Sequence, residues 1–163
     1  MRKPQKFFHE ISFLHYPAGF HLAGGSSYKG QTMNKDIDIL ARTIYGEARG
    51  ETDEGKRAVG LCIINRYKSK KWFSANTIAE VCQKPWQFSC WNKNDPNCQK
   101  ITTATEAVLK PYWELAERLV NGEYADITNG ATHYHAKNCR PSWAKGKLPC
   151  ATIGNHIFFN NID

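Results

Sequence analysis

The sequence predicts an α+β fold, mostly helical, with a small antiparallel β element near its C-terminus. Three observations carry this. Apolar residues recur at helical spacing in three long segments between residues 34 and 121. The period then shortens to two in Ala131–Ala136 and Ile157–Asn160. Between these patterns lies a stretch rich in Pro, Asn and Asp, residues 83–100, which reads as a loop.

The first helix begins at Asn34, an N-cap residue, with Asp36 and Asp38 in the positive first turn. Ile37, Leu40, Ala41, Ile44, Tyr45 and Ala48 form its buried stripe. A second helix runs from an N-cap at Thr52 to about Lys68. Its centre, Val59-Gly60-Leu61-Cys62-Ile63-Ile64, is apolar nearly all round and is expected deep in the core. A short helix covers Thr77–Cys82. A third long helical pattern spans Thr103–Asn121, stopped by Gly122 and kinked or split by Pro111. Gly154-Asn155 marks a turn before the last strand.

The chain of 163 residues is one domain's length, preceded by a stretch of different character. Residues 1–33 are expected to be a basic N-terminal arm or leader, and 34–163 the domain proper. Of the net charge of +7, residues 1–35 carry +4 and the remainder only +3. His9, Glu10 and His15 interrupt any apolar core that a secretory leader would need. The arm either contacts an anionic envelope or is merely solvated. The longest apolar runs are a few residues, so no transmembrane helix is expected. Acids are interspersed through the domain, which ranks a nucleic-acid partner low. A monomer is expected.

Glu47 is the first candidate for chemistry. It sits one turn after Ile44 at the margin of the buried stripe, with Gly46 and Gly50 leaving room for a ligand. Partial desolvation of a carboxyl favours its protonated form, which a general acid needs. The alternative is a helix-end glutamate paired with Arg49 or Arg42. Glu51, four residues on, is either a second carboxylate or a partner of Lys56 or Arg57. Arg49 and Glu51 are kept as supporting residues. Gln87, Ser89, Tyr134 and His135 offer hydrogen bonds to a ligand, and Trp91 and Trp143 offer flat stacking faces. Phe88 lies within the same block. Tyr134 and His135 point to opposite faces of a strand, so one of them, Tyr134, is expected to face the cleft. His156 follows the turn and either supports the site or is a hydrogen-bonded structural histidine.

Six cysteines suggest disulfides and an oxidising compartment. Cys139–Cys150 and two of Cys82, Cys90 and Cys98 are candidate pairs, whereas Cys62 is a candidate free buried thiol. His133, His135, Cys139 and Cys150 raise a rival zinc reading, disfavoured because their spacing is unlike common zinc knuckles.

Ala41-Arg42-Thr43-Ile44-Tyr45-Gly46-Glu47-Ala48-Arg49-Gly50-Glu51 resembles the signature of SleB/CwlJ-type cell wall hydrolases, the spore-cortex-lytic enzyme family. Ala58–Arg66, Thr77–Cys82 with Gln87–Trp91, and Ala131–Ala136 with Pro141–Ala144 and Ile153–Phe158 resemble later blocks in the same order. The resemblance covers about residues 36–160. It implies a lysozyme-like domain that cleaves peptidoglycan glycan strands without metal or cofactor. It maps the catalytic acid to Glu47, acting as in a lytic transglycosylase. The alternatives are a muramidase that hydrolyses the same bond and a non-catalytic peptidoglycan-binding module. No spore-targeting or wall-binding repeat is visible, so vegetative peptidoglycan is expected rather than cortex. Action in the cell envelope by a phage-type endolysin, released through holin-type lesions, would reconcile the cysteines with the lack of a leader.

Overall fold

The structure is a computed structural model that describes residues 34–162. The expected basic arm, residues 1–33, lies outside the described residues. In chain order the elements are α1 (Lys35–Ala48), α2 (Asp53–Ser69), α3 (Ile78–Gln83), a 3-10 turn (Ser89–Trp91), α4 (Pro96–Thr103), α5 (Glu106–Val120), β1 (His133–Ala136), a second 3-10 turn (Ser142–Ala144), β2 (Ala151–Ile153) and β3 (His156–Phe159). The three strands form one antiparallel sheet in the order β1-β3-β2.

Helix starts follow their caps. The side chains of Asn34, Thr52 and Thr77 accept hydrogen bonds from Asp36, Gly55 and Glu80 N–H, each supplying an acceptor to a first-turn N–H that has none within its helix. The loop expected over residues 83–100 is corrected at its end, because Pro96–Thr103 form α4. Asp95 caps it and Pro96 takes the first turn, where a missing N–H costs nothing. The third long helix starts at Glu106 rather than Thr103 and runs uninterrupted through Pro111.

α1 is the central element, packed against each of the other α-helices. Leu40, Ala41 and Ile44 are fully buried, together with Val59, Cys62 and Ile63 from the apolar centre of α2. The polar residues of α1 pin its neighbours. Asp36 accepts from Ala79 N–H at 2.8 Å and Asp38 from the Trp113 indole at 2.9 Å. Arg42, held by Asp38 at 2.9 Å, donates to the Ile101 carbonyl at 2.6 Å. The end of α1, where Glu47 sits, is thereby fixed from several sides.

β2 and β3 form a hairpin whose two-residue loop is Gly154-Asn155, with Ile153 opposite His156. Gly154 has φ +57° while Asn155 does not have positive φ, the pattern of a type II′ turn with glycine first. A Cβ at Gly154 would lie 2.2 Å from the Glu51 carboxylate, so the turn also needs glycine for that approach.

All six cysteines are free thiols, which corrects the expected disulfides. Their sulfurs are committed elsewhere. Cys150 donates to the carbonyls of Thr128 and Phe158 at 3.2 and 3.4 Å, and Cys98 points to the Trp91 carbonyl at 3.9 Å. Cys139 is exposed, and Cys62, Cys82 and Cys90 are buried. Burial pushes the Cys62 and Cys82 thiols up to about 12, so they stay protonated.

Candidate active site

Glu47 lies in the last turn of α1 and lines a cleft of about 560 Å³. Glu51, Asn97, Lys137, Asn138, Asn155 and His156 also line it. Two donors hold the Glu47 carboxylate. Cys90 N–H reaches Oε1 at 3.2 Å, and the Tyr134 hydroxyl reaches Oε2 at 3.1 Å. Each comes from a different element, the 3-10 turn and β1, so the carboxylate is clamped across the fold. Desolvation, with the Glu47 charge beside it, pushes the Tyr134 phenol well above its ordinary value, and it remains a donor.

The competing ion pairs do not form among the described residues. Arg42 is engaged by Asp38, and Arg49 turns back to the Gly46 carbonyl at 3.2 Å. Gly46 serves a different purpose from the one expected. A Cβ there would lie 2.7 Å from Cys90 Cβ and 2.9 Å from Ile101, so its space is filled by protein. Gly50 has open space around it.

Glu51 is tied to the hairpin. Asn155 donates from its backbone N–H to Oε2 at 3.0 Å and from its side chain to Oε1 at 3.1 Å. Burial alone would raise the Glu51 pKa, but these bonds, with the charges of His156 and Lys137, hold it below the ordinary carboxylate value. Lys56 pairs instead with Asp53, and Arg57 lies over the Tyr124 ring. The His156 Nδ1 is 4.0 Å from Glu51, and its ring meets Tyr134 edge-on at 5.0 Å. Burial lowers the His156 pKa, against the pull of Glu51 and Glu47. Asp95 and Asp126 are occupied: Asp95 caps α4, and Asp126 accepts from Thr128, Gly130 and Asn65.

The remaining candidates separate. The period-two alternation of β1 puts Tyr134 on Glu47 and turns His135 the other way. His135 stacks on Phe159 at 5.4 Å and meets Trp143 at 5.7 Å, on the sheet face opposite Glu47. Phe88 is only 2% exposed and lies under the Arg66 guanidinium at 4.7 Å, which corrects its assignment to substrate. Gln87 is likewise engaged, accepting from Arg66 at 2.9 Å. The Trp91 indole donates to buried Thr43 at 2.9 Å, and its ring packs on the core rather than standing free for stacking. Ser89 is exposed beside the Cys90 clamp. No group of three or more His, Cys, Asp and Glu that could hold a metal ion gathers among the described residues.

Sequence reasoning missed Arg66, which joins α2 to Gln87, Phe88 and the Thr132 carbonyl before β1. Its signal was a charge just beyond the apolar centre of α2. It also missed the Cys90 N–H, because backbone donors leave no mark in side-chain patterns.

Comparison with known proteins agrees with this architecture. The family model described as Cell Wall Hydrolase matches residues 50–159, beginning three residues after Glu47. The spore cortex-lytic enzyme of Bacillus subtilis is 34% identical over 137 residues, covering 83% of this chain and 41% of that protein. The cell wall hydrolase CwlJ of Halalkalibacterium halodurans is 29% identical, covering 80% of this chain and 88% of that protein. The chain thus spans less than half the length of the spore cortex-lytic enzymes it matches. The catalytic domain of the germination-specific lytic transglycosylase SleB from Bacillus anthracis superposes with a TM-score of 0.60 at 28% identity, covering 81% of this chain and 98% of that one. The SleB catalytic domain of Bacillus cereus gives 0.58 at 26% identity, covering 83% and 98%. The chain belongs to the cell wall hydrolase family and has the lysozyme-like fold of the SleB catalytic domains.

Proposed function

We propose that this cell wall hydrolase cuts the β-1,4 bond between N-acetylmuramic acid and N-acetylglucosamine in peptidoglycan, as a lytic transglycosylase with Glu47 as its acid and base. The observation that carries this reading is the clamp on Glu47: one carboxylate in an open cleft, held by Tyr134 and Cys90 rather than neutralised by a cation. The carboxyl gives its proton to the glycosidic oxygen as the C1–O bond breaks. The carboxylate then takes the proton from the muramic C6 hydroxyl as O6 bonds to C1, closing a 1,6-anhydro ring. Glu47 ends protonated, as it began, and no water enters. The description of the Bacillus anthracis neighbour as a lytic transglycosylase supports the same chemistry.

A hydrolytic route needs a second carboxylate to activate water or form a covalent intermediate. Glu51 is the carboxylate that shares the cleft, and both its oxygens are occupied by Asn155. That favours the anhydro route over a muramidase. The deciding experiment is mass analysis of products from purified peptidoglycan. Anhydro-muropeptides, lighter by one water, are expected; reducing-end muramic products would establish the hydrolase instead. Full lytic activity in Glu47→Gln would refute the role of Glu47, whereas binding without lysis by the unaltered chain would establish the binding-module reading. The place of action is the cell envelope, as a monomer, with the basic arm adding attraction to anionic polymer.

A further inference from the structure

Trp86 occupies a backbone position that turns normally give to glycine. Residues 84–87 form a β-turn closed by the Gln87 N–H on the Lys84 carbonyl at 3.1 Å. Pro85 is second in this turn and Trp86 third, with φ +66°. Proline second and positive φ third is the pattern of a type II turn, whose third residue is ordinarily glycine. A bulky L-residue there is strained, and buried packing is the usual compensation. Trp86 has none, since it is 85% exposed. Strain retained without a packing return points to a task outside the fold.

The surroundings indicate which task. Trp86 walls a concavity of about 530 Å³ with Asn92, Lys93, Asn94, Asp95 and Pro96. Asp95 is already committed to capping α4 at 2.7 Å, so the groups offered to a ligand are two amides, one ammonium and the indole. An apolar ring face suits the C–H face of a pyranose. Amides suit hydroxyl and acetamido groups, and an ammonium suits a carboxylate on a lactyl or peptide substituent. The loop runs directly into α4, whose Asn97 lines the cleft beside Glu47. Cys90, four residues after Trp86, gives its N–H to Glu47. Four extended residues span at most about 14 Å, so the two sites lie along one short path.

We propose that Trp86, with Asn92, Lys93 and Asn94, forms a distal glycan subsite that grips a sugar of the same strand whose bond Glu47 breaks. This rests on the peptidoglycan reading above. The test uses the full chain carrying Glu47→Gln, so that binding is measured without cleavage, and cosedimentation with purified peptidoglycan. Adding Trp86→Ala is expected to weaken retention about fivefold or more, as for a truncated anchor residue. Trp86→Gly is expected to weaken it equally while melting no lower than the parent, because glycine relieves the turn. Trp86→Phe keeps part of the retention. Equal retention of the parent and Trp86→Gly, or no retention of either, overturns the subsite. Lysis by the Glu47→Gln parent would overturn the catalytic assignment and leave the retention comparison standing.

Discussion

Glu47 and Glu51 are four residues apart and line the same cleft, yet they are held in opposite ways. Glu47 receives single hydrogen bonds from two distant elements, one to each oxygen. Glu51 receives both of its bonds from one residue, Asn155, at the tip of the β2–β3 hairpin. The first arrangement aims a carboxylate at open space. The second makes a strut between the α1–α2 junction and the sheet. Residue type and spacing do not separate the two; the identity of the donors does.

The largest expected difference between them is catalytic. Glu47→Gln should lower lytic activity by about 10²- to 10⁴-fold, the usual worth of general acid–base catalysis, with an unchanged circular dichroism spectrum. Glu51→Gln should cost far less activity. A comparable collapse in both variants would erase the distinction and restore a two-carboxylate hydrolase.

Acid should act on the sheet and its strut through stability. His133, buried beside Phe73, has its pKa lowered to about 4, by desolvation first and then by Arg66 and Lys71. Between pH 6.5 and about 4 the unfolded chain binds a proton that the native state refuses. Stability should fall through that window by up to about 3 kcal/mol. His156 shifts in the same direction and adds to the loss. Glu51 stabilises fully above its unfolded value of 4.5 and loses that contribution as pH falls through its lower folded value. Urea unfolding at pH 7, 5.5 and 4.5 reads this; flat stability would contradict it.

Smaller effects probe the donors. Tyr134→Phe removes one bond to a charged acceptor, worth about 1.5–3 kcal/mol, so activity should drop about tenfold to a hundredfold. Gly46→Ala puts a methyl 2.7 Å from Cys90 Cβ and should displace the Cys90 N–H from Glu47. It should cost about 1–3 kcal/mol in denaturation and reduce lysis as well. Glu51→Gln should cost about 1 kcal/mol of stability, because an amide nitrogen cannot accept from Asn155 as the carboxylate does. Lysis lost in Gly154→Ala but retained in Glu51→Gln would show that the turn, rather than the strut, holds the cleft.

Much of the fold was legible because its signals are local. Asn34 and Thr52 announced two helices by their caps, and the alternation Tyr134-His135 announced that the two rings part to opposite faces. α4 was hidden because the Asp95-Pro96 start sits in a composition that otherwise reads as loop, and the three-residue β2 is too short to show a period. Sequence order singled out Glu47 and Tyr134, which the fold brings into contact, and offered Phe88 and Trp91 as ligand-facing rings, which the fold covers. An aromatic in a polar loop looks exposed until Arg66 or Thr43 is known to cover it. Cysteine number likewise suggested pairing, but pairing depends on sulfur-to-sulfur approach across the fold.

The amino-acid order alone determined the helical architecture, the period change at the sheet and the carboxylate at the edge of the α1 stripe. Caps and periodicities act within a few residues, so they are written where they operate. Only the tertiary structure decided that Cys90 and Tyr134 would hold Glu47 while Asn155 captured Glu51. Those bonds join residues 43, 87 and 104 positions apart, and such separations are closed by packing, which no local pattern records.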